Sequence, residues 1–233
     1  MLTKDKNTYQ LGRAELNEEE KLTLTYLLPN SNVLEIGCNA GYFSEKIKRL
    51  TKSKITGVDI DYRLEDNAKQ KLDHLIIGDI EDPNVQKNVG RNAPFDFIIL
   101  LHVIEHLKDP WSLISNLNIY LKDNGKLICA TPNIANWNSR ALLFFKGRWR
   151  YEEKGVMDRT HLRFFTKDTI IELVKKSGMN LDELIYLHPN VPVIDNLNIL
   201  YKYRDKFIPL VKKILPPTLW ATTLFIIASK GDI

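Results

Sequence analysis

Short apolar runs alternate with amphipathic segments along the first 131 residues of the chain. The runs predict β-strands over residues 32–37, 55–60, 74–77, 95–101 and 126–131. Between them, apolar side chains at helical spacing predict helices over 42–51, 64–71 and 110–121, the last with Pro110 in its first turn. Strands that alternate with helices form βαβ units, so the pattern indicates an α/β protein with a mostly parallel sheet and helices on both faces.

The regular alternation ends after Thr131. Residues 132–165 show no clear periodicity but are rich in Trp, Phe and Arg, which predicts an ordered insertion. Thr166 is the predicted N-cap of a helix that ends near Gly178. A strand over 181–187, a second irregular insertion over 189–218 and a last strand over 222–229 complete the pattern. The apolar run 219–228 is about half as long as a membrane-spanning helix, so it is assigned to the last strand.

Composition indicates one globular domain over residues 1–233, with an N-terminal helical segment at 1–30. Of the 233 residues, 44% are apolar, which excludes a disordered chain. The formal charge of +4 divides into −2 over residues 1–133 and +6 over 134–233, so no DNA partner is expected and an anionic partner should meet the second half. Cys38 and Cys129 cannot form a disulfide framework and are predicted to be reduced thiols of a cytoplasmic protein.

The most informative motif lies at the end of the first predicted strand. Glu35, Gly37, Asn39 and Gly41 form a strand, turn and helix start in which the backbone can approach a ligand closely. The spacing matches neither the dinucleotide fingerprint nor a P-loop, and Glu35 suits a cationic amine better than a pyrophosphate. The turn resembles the first motif, Asp/Glu-x-Gly-x-Gly-x-Gly, of the class I S-adenosylmethionine-dependent methyltransferases. Asn39 replaces the middle glycine, and Asn tolerates a positive φ well.

The resemblance extends to the following strands and implies a site for S-adenosylmethionine. It implies that Asp59 binds the ribose hydroxyls, that Asp79 accepts from the adenine amino group, and that Ile80 packs on the adenine ring. The implied cofactor-binding residues are Glu35, Gly37, Cys38, Asn39, Gly41, Asp59, Ile60, Asp79, Ile80, Leu101 and His102, the last two at the methionine end. The acidic members follow the ends of strands, where open α/β sheets bind ligands.

Residues 95–110 resemble the branch of this family that includes ubiquinone-biosynthesis and glycan-cluster methyltransferases. They contain the zinc-protease spacing His102-x-x-Glu105-His106, but Pro110 leaves no long helix for that motif. Some O-methyltransferases that resemble this chain bind a divalent cation through Glu-x-x-Glu-His, and here His102 replaces the first Glu. No metal is assigned, because the replacement of the first Glu by His102 favours a structural role in which Glu105 and His106 hydrogen-bond the turn.

Residues 158–166 resemble a His-x-Arg-x-Phe-Thr segment that faces the acceptor in the same branch. This resemblance makes His161 the first candidate for a general base, because an ordinary imidazole pKa near 6.5 suits proton removal from a hydroxyl. His106 is the second catalytic candidate. The alternative for His161 is a purely structural role in fixing the insertion.

Both insertions, 132–165 and 189–218, are expected on the acceptor side. The first carries basic residues among its aromatics, which suits single-stranded nucleic acid, a phosphate, a nucleotide-sugar or an anionic glycan. Segment 197–215 mixes apolar and basic side chains, as an element on an anionic membrane surface does. A cover of the substrate pocket or a dimer surface is the commoner use of such a segment.

The resemblance implies a Rossmann-like class I methyltransferase fold with a seven-stranded, mostly parallel sheet and an antiparallel last strand. The expected activity is methyl transfer from S-adenosylmethionine to an oxygen of a small-molecule, quinone-type or glycan acceptor. A nucleic-acid or protein methyltransferase is one alternative, although no longer basic surface or appended module is visible. An inactive cofactor-binding scaffold is the other, although the first motif is intact apart from Asn39. The expected location is the cytoplasm, with contact to a membrane surface left open.

Overall fold

The computed structural model describes residues 15–189, 209 and 213–231, and the chain divides into two compact units between Ile99 and Leu100. The strands in the described residues are β1 (Asn32–Ile36), β2 (Lys54–Asp59), β3 (His74–Ile77), β4 (Phe95–Leu101), β5 (Leu121–Pro132), β6 (Met179–Pro189) and β7 (Ala221–Lys230). The α-helices that lie wholly within the described residues are α1 (Glu18–Tyr26), α2 (Tyr42–Thr51), α3 (Glu65–Lys69), α4 (Pro83–Gly90), α5 (Pro110–Tyr120), α6 (Trp137–Lys146), α7 (Lys167–Lys176) and α8 (Pro217–Trp220). Short 3-10 helices cover Tyr62–Leu64 and Ile104–His106.

The strands form one seven-stranded sheet in the order β3-β2-β1-β4-β5-β7-β6. β1 pairs in parallel with β2, and β2 pairs in parallel with β3. β7 runs antiparallel to both of its neighbours, β5 and β6. The prediction of a mostly parallel, Rossmann-like sheet with an antiparallel last strand is therefore confirmed.

In the first unit, β1 is buried along almost its whole length, with Val33 and Leu34 fully inaccessible. Such a continuous apolar run is typical of a parallel strand that is covered on both faces. The predicted helix 42–51 is confirmed. The spacing of Phe43, Ile47 and Leu50 predicts one apolar face, but for Leu50 this prediction is wrong. The buried face of the helix carries Phe43 and Ile47, whereas Leu50 is 59% exposed.

In the second unit, β7 forms the centre of the core. Its residues from Leu224 to Ala228 are at most 1% exposed, which confirms that the apolar run 219–228 contains a buried strand. None of the helices in the described ranges has the length and apolar character needed to cross a membrane.

The first insertion is more regular than its sequence predicted, because α6 occupies residues 137–146 of it. Ser139 is the buried residue of this helix, so no apolar stripe repeats at helical spacing and no periodicity marks it in the sequence. The predicted N-cap Thr166 is confirmed, since its hydroxyl accepts from the Thr169 amide at the start of α7. Most of the second insertion, residues 190–208 and 210–212, lies outside the described residues, as does most of the segment 197–215.

Candidate active site

The first-motif turn follows β1 and is built from backbone in the left-handed region. Gly37 has φ +74°, Asn39 φ +50° and Gly41 φ +74°. The prediction that Asn39 replaces a glycine without losing the turn is confirmed, and its side-chain oxygen accepts from the next amide, that of Ala40, at 2.7 Å. The turn is joined to β2, because the amides of Gly37 and Cys38 both donate to the carbonyl of Val58.

Asp59, at the end of β2, accepts hydrogen bonds through both carboxylate oxygens. One oxygen accepts from the Asn39 amide at 2.6 Å and the other from the Asp61 amide at 2.9 Å. A carboxylate offers about four lone-pair directions, so about two remain for the hydroxyls of a ligand. The Asp59 side chain is half-buried, and the neighbouring Ile60 is 69% exposed. The acceptor oxygens of Asp59 and the apolar side chain of Ile60 fit a ribose diol beside an apolar ring.

Lys71 supports the same turn, and the sequence patterns did not single it out. Its ammonium group donates to the carbonyls of Ala40 at 2.9 Å and Asn67 at 2.7 Å. It also lies 4.3 Å from the centre of the Tyr42 ring, within the range of a cation–π interaction. Lys71 thus ties the segment after α3 to the turn and the start of α2.

Glu35 is only 6% exposed, and one of its oxygens accepts a hydrogen bond from the Ser44 hydroxyl of α2. Burial raises the pKa of the Glu35 carboxyl to about 8 despite the hydrogen bond from Ser44. The carboxyl therefore connects β1 to α2. Its predicted pairing with the amine of a cofactor stays a prediction, and such a cation would favour the ionised form.

The third predicted acidic residue, Asp79, lies next to the Asp59 segment. The amide of Gly78 donates to the carbonyl of Asp59 at 2.8 Å, and Asp79 itself accepts from the Glu81 amide at 2.9 Å. Ile80 is 6% exposed, so it faces the protein more than solvent. The first unit thus brings together the acidic residues at the ends of β2 and β3. Their roles toward a ligand remain predictions.

In the second unit, Leu101 ends β4 and His102 adopts a left-handed conformation with φ +56°. The His102 amide donates to the carbonyl of Ala130 at 2.8 Å, which fixes this residue beside β5. Its Nδ1 atom lies 3.3 Å from Oε1 of Glu105. A histidine with positive φ is uncommon outside turns and functional sites, so this conformation supports a role for the segment.

Glu105 is the most deeply buried of the candidate residues, at 1% exposed. Its Oε2 atom accepts from the Thr131 hydroxyl at 3.1 Å. Its Oε1 atom has no hydrogen-bond donor among the described residues, because His102 Nδ1 lies close but outside hydrogen-bond geometry. A buried carboxylate oxygen without a donor is costly, and it favours a ligand or an ion at this point.

The backbone of Glu105 brings a distant segment to this place. Its carbonyl accepts from the amides of Leu162 at 2.8 Å and Arg163 at 3.0 Å, and the Arg163 guanidinium donates to the carbonyl of Lys108. These bonds set His161 beside His106, with the two ring centroids 4.9 Å apart and the rings nearly perpendicular. The two predicted catalytic histidines are therefore neighbours.

Each of these histidines has one ring nitrogen next to a carbonyl group. His106 Nδ1 lies 3.3 Å from the carbonyl of Thr160, and His161 Nδ1 lies 3.2 Å from that of Val156. A carbonyl can only accept, so Nδ1 carries the hydrogen in both rings and Nε2 of the neutral form keeps its lone pair. Burial lowers the pKa of His161 from its ordinary value, which keeps the ring neutral at neutral pH.

Together, Glu105, His106 and His161 offer one ligand atom each within 4.8 Å of one another. Two ligands of one small cation lie at most about 4.2 Å apart, given metal–ligand distances of about 2.1 Å. To bind one ion, the three ligand atoms would have to move closer to one another by a few tenths of an ångström. Their carboxylate and imidazole groups are ligands that suit a divalent cation. The sequence spacing suggested His102 as the third member of such a set, whereas the fold supplies His161.

Comparisons with known proteins identify the family of this chain. A family model described as a methyltransferase domain matches residues 9–184. The chain belongs to this methyltransferase domain family. The predicted resemblance to S-adenosylmethionine-dependent methyltransferases, and with it the cofactor class, is confirmed.

Among its relatives, the ubiquinone biosynthesis O-methyltransferase of Cereibacter sphaeroides is 28% identical over 151 residues, which cover 64% of this chain and 60% of that protein. The enzyme of the same name from Coxiella burnetii is 28% identical over 176 residues, or 73% of this chain and 72% of that protein. The chain thus matches less than two thirds of the length of the Cereibacter protein. A solved S-adenosylmethionine-dependent methyltransferase from Archaeoglobus fulgidus shares the fold, with a TM-score of 0.62, 18% identity and 90% of each chain covered.

Proposed function

We propose that this methyltransferase-domain protein transfers a methyl group from S-adenosylmethionine to a hydroxyl oxygen of a quinone-type or phenolic acceptor. The similarity to two proteins named ubiquinone biosynthesis O-methyltransferase supports the acceptor class. The observation that carries the proposal is the state of the His161 ring in the second unit. The ring is buried and neutral, its Nδ1–H donates to the Val156 carbonyl, and its Nε2 lone pair is therefore available to accept a proton. Such a group can remove the proton of a hydroxyl.

The first unit would bind the cofactor. Asp59 has acceptor capacity left for the ribose hydroxyls, and Asp79 has it for the adenine amino group. Gly37 and Gly41 have no side chain, so the backbone of the first-motif turn can approach the ligand closely. When bound, S-adenosylmethionine supplies an electrophilic methyl group on a positively charged sulfur. The protein then has to align the reactants and exclude water, with moderate help from a general base.

In the second unit, Nε2 of His161 would take the proton of the substrate hydroxyl, while its Nδ1–H continues to donate to the carbonyl of Val156. The imidazolium that forms is next to the Glu105 carboxyl and to Asp158, both of which favour the charged ring. Glu105 is a positioning residue in this scheme, since its backbone carbonyl fixes the segment that carries His161.

A divalent cation on Glu105, His106 and His161 is the second candidate, and the unsatisfied Glu105 Oε1 atom favours it. An ion there would lower the pKa of the acceptor hydroxyl, and His161 would then be a ligand rather than a base. The two schemes make opposite predictions for a chelator. Full turnover after dialysis against a chelator supports the base, whereas lost turnover that returns with added magnesium or zinc supports the ion.

The decisive experiment measures methyl transfer from radiolabelled S-adenosylmethionine to a panel of catechols, hydroquinones, sugars, amines and RNA. We expect a methyl ether on the phenolic acceptors, identified by mass spectrometry. His161→Gln should lose most of this turnover, whereas His74→Gln, which changes an exposed histidine at the start of β3, should keep it. Methylation of RNA or of amines alone would contradict the proposed acceptor class.

A further inference from the structure

The first-motif turn uses its own backbone donors inside the protein. Each amide of residues 37–41 donates a hydrogen bond to another group of the first unit. In chain order, the acceptors are the Val58 carbonyl twice, the Asp59 carboxylate, the Asn39 side chain and the Cys38 carbonyl. The turn therefore contributes to a cofactor site through its shape rather than through unpaired amides, and the contacts that fix this shape should determine how well it binds.

The carbonyl group of Ala40 is the point at which a charged side chain holds the turn. The ammonium group of Lys71, which follows α3, donates to this carbonyl at 2.9 Å. Ala40 is only 1% exposed, so solvent cannot readily replace a donor that is lost there, and a buried carbonyl without a donor is costly. The bond from Lys71 thus fixes the peptide group that leads into Gly41, where the backbone has φ +74°.

Lys71 is itself held in place by the surrounding residues. Its ammonium group also donates to the Asn67 carbonyl in the last turn of α3, where the helix dipole favours a cation, and it lies over the Tyr42 ring. A Cβ atom at Gly41 would lie 3.3 Å from both Cα of Ala68 and Cβ of Lys71. The end of α3 therefore packs directly against the turn, and Lys71 is the side chain that bonds the two together.

We infer that Lys71 is a positioning residue of the cofactor site, whose ammonium group keeps the turn in the shape that binds S-adenosylmethionine. Without this group the Ala40 peptide would lose its anchor, and the displacement would reach the adjacent Asn39 amide and the Asp59 carboxylate to which that amide donates. Lys71 acts through the turn and is assigned no contact with the cofactor. The inference rests on the proposed placement of the cofactor in the first unit and does not depend on the acceptor.

The first test compares binding with turnover. In calorimetry, Lys71→Met should weaken binding of S-adenosylhomocysteine by about ten-fold, the usual effect of a lost hydrogen bond from a charged group. Lys71→Arg keeps the charge and the donors and should stay within about three-fold of the wild type. The KM for S-adenosylmethionine should rise in Lys71→Met, whereas kcat and the KM for the acceptor should stay within about two-fold, because the second unit is unchanged.

Lys48→Met is the matched control. Lys48 lies in α2 and pairs with Asp73 at 2.9 Å, so it too joins α2 to the segment after α3, but it makes no printed bond to the turn. This variant should bind S-adenosylhomocysteine within about two-fold of the wild type, since a partly exposed ion pair contributes little. An equal loss of affinity in Lys48→Met and Lys71→Met would mean that a general loosening of the unit, and not the Ala40 bond, weakens binding, and it would overturn the inference.

Chemical restoration of the ammonium group tests its role directly. Lys71→Cys can be alkylated selectively, because Cys38 and Cys129 are buried and burial raises the pKa of both thiols. With 2-bromoethylamine, the thiolate displaces bromide and the new side chain ends in an ammonium group at nearly the length of lysine. With bromoethane, the side chain is the same except that it lacks the amine. The first product should regain most of the lost affinity, and the second should not.

The outcomes separate this inference from the proposed function. Wild-type affinity in Lys71→Met together with weaker binding in Asp59→Asn would overturn the role of Lys71 and leave the cofactor site in place. Equal affinity of the two alkylated products would also overturn it. Unchanged binding in both Lys71→Met and Asp59→Asn would overturn the inference together with the proposed cofactor site. Circular dichroism verifies the fold of each variant, and the two alkylated products still test the ammonium group if Lys71→Met is unstable.

Discussion

The backbone amide of Asn39 donates a 2.6 Å hydrogen bond to the carboxylate of Asp59, which joins the first-motif turn to the end of the neighbouring strand. The turn residue has a left-handed backbone, and the acidic residue has acceptor capacity to spare. Together with the bonds from the Gly37 and Cys38 amides to the Val58 carbonyl, this bond holds the turn against the end of β2. Substitutions on either side of that bond should affect cofactor binding in different ways.

Asn39→Gly should restore the glycine of the family motif and leave the affinity for S-adenosylhomocysteine within about two-fold, because glycine adopts positive φ freely. Asn39→Val should destabilise the turn by about 1–2 kcal/mol, since a β-branched residue is strained there, and should weaken ligand binding in calorimetry. Asn30→Val is the matched control, because Asn30 also has positive φ, at +58°, in another turn. It should lower the melting temperature similarly without changing affinity.

Asp59→Asn should weaken binding of S-adenosylhomocysteine by about ten-fold or more. The amide has a donor where a carboxylate oxygen accepts from Asn39 or Asp61, so one of these bonds is lost together with the charge. Asp66→Asn, at an exposed position of α3, is the control and should bind normally. Wild-type affinity in the Asp59 variant would remove this residue from the cofactor site.

Glu35 should make the protein less stable as the pH rises. Its pKa is about 8 in the folded state and about 4.5 in the unfolded state, so the folded state binds more protons between these values. The stabilisation is complete below pH 4.5 and is lost as the pH rises toward 8, by an amount on the order of a few kcal/mol. Urea unfolding of Glu35→Gln should show a weaker pH dependence over this range than the wild type does. Glu45→Gln, exposed in α2, should leave the dependence unchanged.

His161 should control the acid side of the pH–rate profile. Burial lowers its pKa below 6.5, so the base form persists at neutral pH and turnover should fall only at more acidic values. His161→Gln should remove this limb and most of kcat, and His74→Gln should preserve both. A profile that falls with an ordinary imidazole pKa near 6.5 would show that another group titrates.

The first unit was predicted well because its signals are local. The strands β1 to β3 and the left-handed turn at Asn39 each depend on a few adjacent residues, and so does the cap at Thr166 in the second unit. Three of the described helices escaped the pattern, and one of them is the four-residue α8. α4 has Asp82 and Pro83 as clear start signals and a short buried stripe of Val85 and Val89. α6 has caps at Asn136 and Gly147 but no buried apolar stripe.

The candidate site in the second unit could be predicted only in part. The sequence predicts His106 and His161 as two independent candidates. Their contact depends on the backbone hydrogen bonds from the Leu162 and Arg163 amides to the Glu105 carbonyl. Nothing in local spacing indicates which distant histidine joins Glu105 and His106. The support that Lys71 gives to the first-motif turn is likewise a tertiary contact, without a periodic signal in the sequence.

The insertion that holds α6 is fastened at both ends by main-chain bonds. The Ile134 amide donates to the Phe165 carbonyl at 2.9 Å, and the Glu105 carbonyl receives the amides of Leu162 and Arg163. Main-chain bonds do not depend on the side chains between these points. Residues 137–150, which lie between these points and before the Val156 carbonyl, therefore form an exchangeable segment. A chimera that replaces residues 137–150 with another sequence should keep His161 beside His106 and should change the acceptor preference.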